Sequence, residues 1–122
     1  MSTSNSVKTQ DYQAYIDEVS ARLKLSGSLR LNAAPEYQPI SDLMDAALAT
    51  AGKSDPAILT LDLTELRFLN SSGINLLYQF VLKVKKQGAV GLRVLGANDN
   101  AWQPKSLSNM VKFMPTLELV MT

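Results

Sequence analysis

The run Ala57-Ile58-Leu59-Thr60-Leu61-Asp62-Leu63 limits this chain's fold more than any other segment. Its near-continuous apolar character predicts a strand covered on both faces. Leu66, Phe68 and Leu69 are expected to carry the burial on around a turn. The chain then meets Asn70-Ser71-Ser72-Gly73 and its apolar period changes. Ile74, Leu77, Val81 and Val84 recur at helical spacing, widened by Leu76 and Phe80, which predicts an amphipathic helix over 72–87. Lys83, Lys85 and Lys86 suit its last turns, and Gly88 suits its end. A buried strand feeding such a helix requires a layered α/β arrangement.

The flanking segments extend the alternation. Over 12–31, Leu23, Leu25, Leu29 and Leu31 share one parity, and Arg22, Lys24, Ser26, Ser28 and Arg30 share the other. That pattern predicts short half-buried strands, with a turn at Asp17-Glu18 and a bulge at Gly27. Residues 12–19 also fit a helical turn. A loop with Pro35 is expected over 32–38. Pro39 then opens a helix carrying Ile40, Leu43, Met44, Ala47, Leu48 and Ala51, stopped by Gly52. A strand over 90–95, a loop over 96–100, a helix over 102–114 broken by Pro115, and a last strand over 117–120 complete the order. The expected fold is α/β, a mixed β-sheet of about four to six strands packed with three or more helices. Residues 1–10, small and polar, read as a flexible tail, and 11–122 as a single domain.

Composition removes whole classes of function. The 122 residues include no histidine and no cysteine. Histidine-based triads, the usual zinc sites, disulfides and thiol chemistry cannot be assembled. A net charge of +1 gives no field for nucleic acid or an anionic membrane. No apolar run approaches the roughly 20 residues of a membrane span, and the N-terminus lacks a signal-peptide core. The reading is a soluble cytoplasmic protein without cofactor, metal or catalytic residues.

The segment LTLDLTELRFLNSSG, from Leu59 to Gly73, followed by an amphipathic helix, resembles the STAS domain of sulphate transporters and anti-sigma factor antagonists. Asp62-Leu63-Thr64 is similar to the family's strand end, Phe68-Leu69 to its apolar pair, and Asn70-Ser71-Ser72-Gly73 to its Asp-Ser-Ser-Gly loop. Leu25-Ser26-Gly27-Ser28-Leu29 resembles its Gly-x-Leu turn, and Ala33-Ala34-Pro35-Glu36 the loop before its first helix. The resemblance covers roughly residues 11–122 and implies an anti-sigma factor antagonist-like, non-enzymatic module in a partner-switching circuit. It implies phosphorylation at Ser71, a serine kinase or anti-sigma-like protein as partner, and a phosphatase that restores the bare serine. The implied docking surface comprises Arg30, Asn70, Ser71, Ser72, Gly73, Ile74 and Asn75, with Gly73 allowing close approach. Two positions depart from the family: Asn70 stands where it usually has Asp, and Arg30 where it often has Asp. An amide and a guanidinium replace two carboxylates, a setting that fits a long-lived phosphate on Ser71, a kinase other than the family's standard partner, or a serine that is not phosphorylated.

Plainer readings stand beside these. Ser71 and Ser72 suit helix N-caps, and Asp62 suits the end of a strand, satisfying backbone N–H groups in the next turn. The lysines of 83–86 read as a solvated helix end, and Trp102 as a packing anchor. Two other functions remain open. One is a constitutive interaction or scaffold module with a structural Ser71. The other is a small-ligand or nucleotide-binding module using the helix N-terminus.

Overall fold

The computed structural model describes residues 6–32 and 34–122. Strands β1 (Ser6–Lys8), β2 (Tyr12–Asp17) and β3 (Arg22–Leu29) precede helix α1 (Ala34–Gly52). Strand β4 (Ile58–Leu69), helix α2 (Ser71–Gln87), strand β5 (Gly91–Gly96), helix α3 (Gln103–Phe113) and strand β6 (Glu118–Met121) follow. Among the described residues the strands form one six-stranded sheet in chain order. The pairs β1–β2 and β2–β3 are antiparallel, and β3–β4, β4–β5 and β5–β6 are parallel. This is the mixed α/β sheet expected from the sequence.

Each parallel step crosses over through a helix, and right-handed crossovers taken in chain order lay all the helices on one face. The burial pattern agrees. Leu23, Leu25, Leu59, Leu61, Leu63, Leu92 and Val94 share one core with Met44, Leu77, Val81, Leu107 and Met110 of the helices. The other face carries ion pairs instead: Arg22–Asp62, Lys24–Glu65 and Arg93–Glu118. Strand β4 is therefore helix-covered on one face only, which corrects the two-sided expectation. Thr60 and Asp62 are buried all the same, because β4 is central and Arg22 reaches across from β3. Burying one Leu stabilises by about 1.5–3 kcal/mol, whereas a surface ion pair contributes about 0–1 kcal/mol. The leucines consequently set the register, since a one-residue slip would turn Leu59, Leu61 and Leu63 onto the open face.

Several boundaries differ from the sequence reading. Ser6–Lys8, assigned to the tail, pairs with β2, while residues 1–5 lie outside the described residues. Residues 12–17 are strand, not a helical turn. Gly27 does sit at a register irregularity, with φ of 91°, and a Cβ there would overlap the Asp11 carbonyl. Helix α1 starts at Ala34, so the expected loop is largely helical and Pro39 lies inside the helix. Pro35 suits the first turn, where no N–H is needed, and the Glu36 carboxylate accepts the Asn32 N–H at 2.9 Å. Pro39 forfeits one helical hydrogen bond, and burial of Ile40, Leu43, Met44, Ala47 and Leu48 on the next turns offsets that cost. Residues 66–69 form no turn, because β4 runs unbroken to Leu69, and Phe68 is 40% exposed rather than buried.

Strand β4 outruns β5, which pairs with it only through Asp62. The carbonyls beyond are met from the α3 end. Gln103 Nε2 donates to Leu63 O at 2.7 Å and to Leu66 O at 3.1 Å, while its Oε1 accepts the Ala97 N–H at 2.7 Å. Asn100 Nδ2 and Trp102 Nε1 also donate to Leu66 O, at 2.6 and 2.8 Å. Gln103 is fully buried. Gln103→Leu would orphan the Ala97 N–H and the Leu63 carbonyl at about 1–3 kcal/mol each. Urea unfolding should show a loss of about 2–4 kcal/mol with an unchanged m-value. A loss below about 0.5 kcal/mol, the range of neutral surface changes, would show that the clamp is dispensable.

Candidate functional site

The sequence marked the junction between β4 and α2, and the structure shows how it is built. Asn70, not a serine, is the N-cap of α2: its φ and ψ are extended, −80° and 174°, and its Oδ1 accepts the Gly73 N–H at 3.0 Å. The Asn70 carbonyl takes the Ile74 N–H at 2.9 Å. The capping roles expected of Ser71 and Ser72 therefore fall to their neighbour. The same amide ties the junction to the segment leaving β3. Asn70 Oδ1 accepts the Leu31 N–H at 3.4 Å, and Nδ2 donates to the Leu31 carbonyl at 3.1 Å. The Asn70 backbone N–H donates to Leu29 O at 3.3 Å.

Gly73 is buried, and a Cβ at its position would overlap Leu69 Cδ1. Its small size serves close packing of α2 on the end of β4. Ser71 and Asn75 are exposed, and Asn70, Ser72 and Ile74 are half-buried. Among the described residues neither the Ser71 nor the Ser72 hydroxyl makes a hydrogen bond. Ser71 thus projects an uncommitted Oγ from a junction that does not depend on it.

Arg30 lies between the two residues that Asn70 grips. Its guanidinium carbon stands 4.6 Å from the centroid of the Phe68 ring, and among the described residues it makes no ion pair. The exposed Phe68–Arg30 stack was not foreseen: strand parity gives no warning of an aromatic turned to solvent at a strand end. Two concavities flank the junction. One, of about 340 Å³, is lined by Arg30 with Asp11, Tyr12, Ser28 and Glu36. Burial, and then the Glu36 carboxylate, raise the Tyr12 phenol above its ordinary value, so it stays neutral. The other, about 180 Å³, lies between α1 and α2 and is lined by Tyr37, Ser72, Asn75, Leu76 and Gln79. A larger cleft, about 440 Å³ beside Asp45, Lys83 and Val90, lies at the far end of the helix pair.

Other sequence-marked residues are structural. Asp62 does not end a strand but lies within β4, where it accepts the Thr64 N–H at 3.1 Å and the Thr64 hydroxyl at 2.7 Å. Lys83 pairs with Asp45 at 2.6 Å. Trp102 anchors the clamp on Leu66, as its packing role predicted. Among the described residues no group of three acidic side chains is placed to hold a metal ion, and no helix is long and apolar enough to cross a membrane.

No family model and no curated protein matches the chain. Two solved structures share its fold. Apo-SiaC from Pseudomonas aeruginosa is 17% identical, with a TM-score of 0.66 over 94% of this chain and 93% of that one. The diguanylate cyclase SiaD in complex with its activator SiaC, also from Pseudomonas aeruginosa, gives 19% identity and a TM-score of 0.66 over 94% and 96% of the two chains. At such identities the likeness is one of fold.

The tie at Asn70 makes its substitution costly. Asn70→Ala removes the cap and both bonds to Leu31, and should cost about 1–3 kcal/mol in chemical unfolding. Asn70→Asp keeps the acceptor and gains from a charge at the helix N-terminus, but it loses the donor and sets a carboxylate oxygen against the Leu31 carbonyl, so it too should be less stable than the parent. An Asn70→Ala variant within about 0.5 kcal/mol of the parent would refute the bonding described.

Proposed function

We propose that this chain is a non-enzymatic binding module whose docking to a protein partner is switched by phosphorylation of Ser71, as in STAS-type partner switching. The observation that carries this reading is the Ser71 hydroxyl, exposed and unbonded, on a junction capped by Asn70. A structural role for Ser71 is disfavoured because the cap is already supplied. The fold supports a docking role, since a chain of this fold activates a diguanylate cyclase and is found in complex with it.

In the modification step a kinase transfers the γ-phosphoryl group of a nucleoside triphosphate to Ser71 Oγ. The new O–P bond replaces the bridging P–O bond of the triphosphate, and a base on the kinase takes the hydroxyl proton. A phosphatase returns the serine by hydrolysis, releasing inorganic phosphate. Because the step draws on a nucleoside triphosphate, the same proposal carries a cytoplasmic location with it. The phosphate brings a charge of about −1.5 to −2. In a docked surface it would be desolvated at a cost of several kcal/mol, and about 1.4 kcal/mol is tenfold in affinity. Binding therefore falls by roughly a hundredfold or more without refolding. The docking surface comprises Arg30, Asn70, Ser71, Ser72, Ile74 and Asn75, with the groove beside Ser72 at its edge.

Anion binding by the bare helix N-terminus is less well supported. Asn70 occupies the Gly73 and Ile74 amides, leaving those of Ser71 and Ser72.

Mass spectrometry of the protein from its native cells should place a phosphate on Ser71. Ser71→Asp should unfold within about 0.5 kcal/mol of the parent, as an exposed substitution does. It should also lose the co-purifying partner that Ser71→Ala retains. A partner held equally by both variants would point to a constitutive scaffold module instead.

A further inference from the structure

Resting on phosphorylation of Ser71, we propose that Arg30 is the phosphate's receptor, stacked on Phe68 in the bare protein and paired with the phosphoserine in the modified one. Among the described residues, Arg22, Lys24, Lys83 and Arg93 each meet a carboxylate, and Arg30 meets none. It rests instead on an exposed ring, 4.6 Å from the centroid. The backbone places it where a phosphate would arise. Asn70 binds Leu29 O through its N–H, and both the N–H and the carbonyl of Leu31 through its side chain. Residue 30 is thereby fixed opposite residue 70, one position from Ser71.

The competition favours the phosphate. A guanidinium fork on phosphate makes charge-assisted, bidentate hydrogen bonds, whereas a cation on an exposed ring is weakly held. The helix N-terminus offers only part of a receptor, because Asn70 takes the Gly73 and Ile74 amides and leaves those of Ser71 and Ser72. The Asp11 and Glu36 carboxylates line the same cleft as Arg30 and repel a phosphate, so they act against the latch. When Arg30 turns to Ser71 it leaves Phe68 bare. Modification then alters the docking surface twice, by adding an anion and by withdrawing a cation from an aromatic face.

The test uses full-length protein carrying phosphoserine inserted at position 71 during synthesis, which needs no kinase. A free phosphoserine takes its second proton at about pH 6. Titration followed by ³¹P NMR should place that ionisation lower in the parent than in Arg30→Gln, by enough to change the dianion's proton affinity about threefold or more. The difference between the two proteins is read because Asp11 and Glu36 act equally in both. Phe68 ring resonances should shift on phosphorylation in the parent and not in Arg30→Gln. A broad-specificity alkaline phosphatase should release phosphate several-fold faster from Arg30→Gln. Phe68→Leu, which removes the stack but not the receptor, should keep the parent's phosphate titration. Coincident ³¹P titrations for the parent and Arg30→Gln would overturn the latch while leaving the Ser71 switch intact, since that is judged by Ser71→Asp and the partner. A Phe68→Leu titration that matches Arg30→Gln would also overturn it, by showing that the ring, not the guanidinium, sets the phosphate's environment.

Discussion

A strand longer than its neighbour leaves backbone groups that something else must satisfy, and this molecule is organised around that demand. Strand β4 reaches Leu69, while β5 pairs with it only as far as Asp62. A buried carbonyl without a donor costs about 1–3 kcal/mol, so an unmet overhang would not remain ordered. Gln103, Asn100 and Trp102 supply the missing donors from the segment opening α3. Gln103 also returns an acceptor to the Ala97 N–H, so the loop that provides the clamp is held by it. The clamped strand end sets the position of the junction at Asn70, four residues beyond Leu66.

At that junction, the residues that hold the structure and the residues that face solvent are different ones. Asn70 caps and ties, Gly73 permits packing, and Leu69 fills the space beneath. The side chains of Ser71, Asn75, Arg30 and Phe68 are exposed and, among the described residues, make no hydrogen bond or ion pair, Arg30 resting on the Phe68 ring instead. This division lets charge be added at the surface without a cost to folding. A helix N-terminus gains about 0.3–1 kcal/mol from a nearby anion, a small term beside the several kcal/mol of desolvating that anion under a partner. Stability is thus carried by groups other than the solvent-facing ones a few residues away.

What the sequence disclosed follows from where physics is local. The apolar parity of Leu23, Leu25, Leu59, Leu61 and Leu63 and the helical stripe of Leu77, Val81 and Val84 depend on period alone, and the sheet and helices follow them. Gly88 was legible as a C-cap because its φ of 69° is costly for other residues. The start of α1 was misread because Pro35 and Pro39 together look like a loop, while the Glu36 contact to Asn32 is invisible in a string. The capping residue was misplaced by one position because Asn, Ser and Ser in succession all suit an N-cap; only the partners on Leu31 choose among them. The Arg30–Phe68 stack and the Gln103 clamp join residues 38 and 37–40 positions apart, a separation no spacing rule spans.

Asn70 and Arg30 meet at one junction, and the demands on position 70 decide which charge stands there. The side chain at position 70 must accept from the Leu31 and Gly73 amides and also donate to the Leu31 carbonyl. An ionised carboxylate can accept from both but has no proton to donate. An amide meets all three demands, and choosing it removes a negative charge from the mouth of the site. A cation at position 30 then has no acid at position 70 to pair with. Stacking on the ring of Phe68 keeps its charge in water and its planar face covered. The amide at position 70 thus ties the junction together without placing a charge beside Ser71.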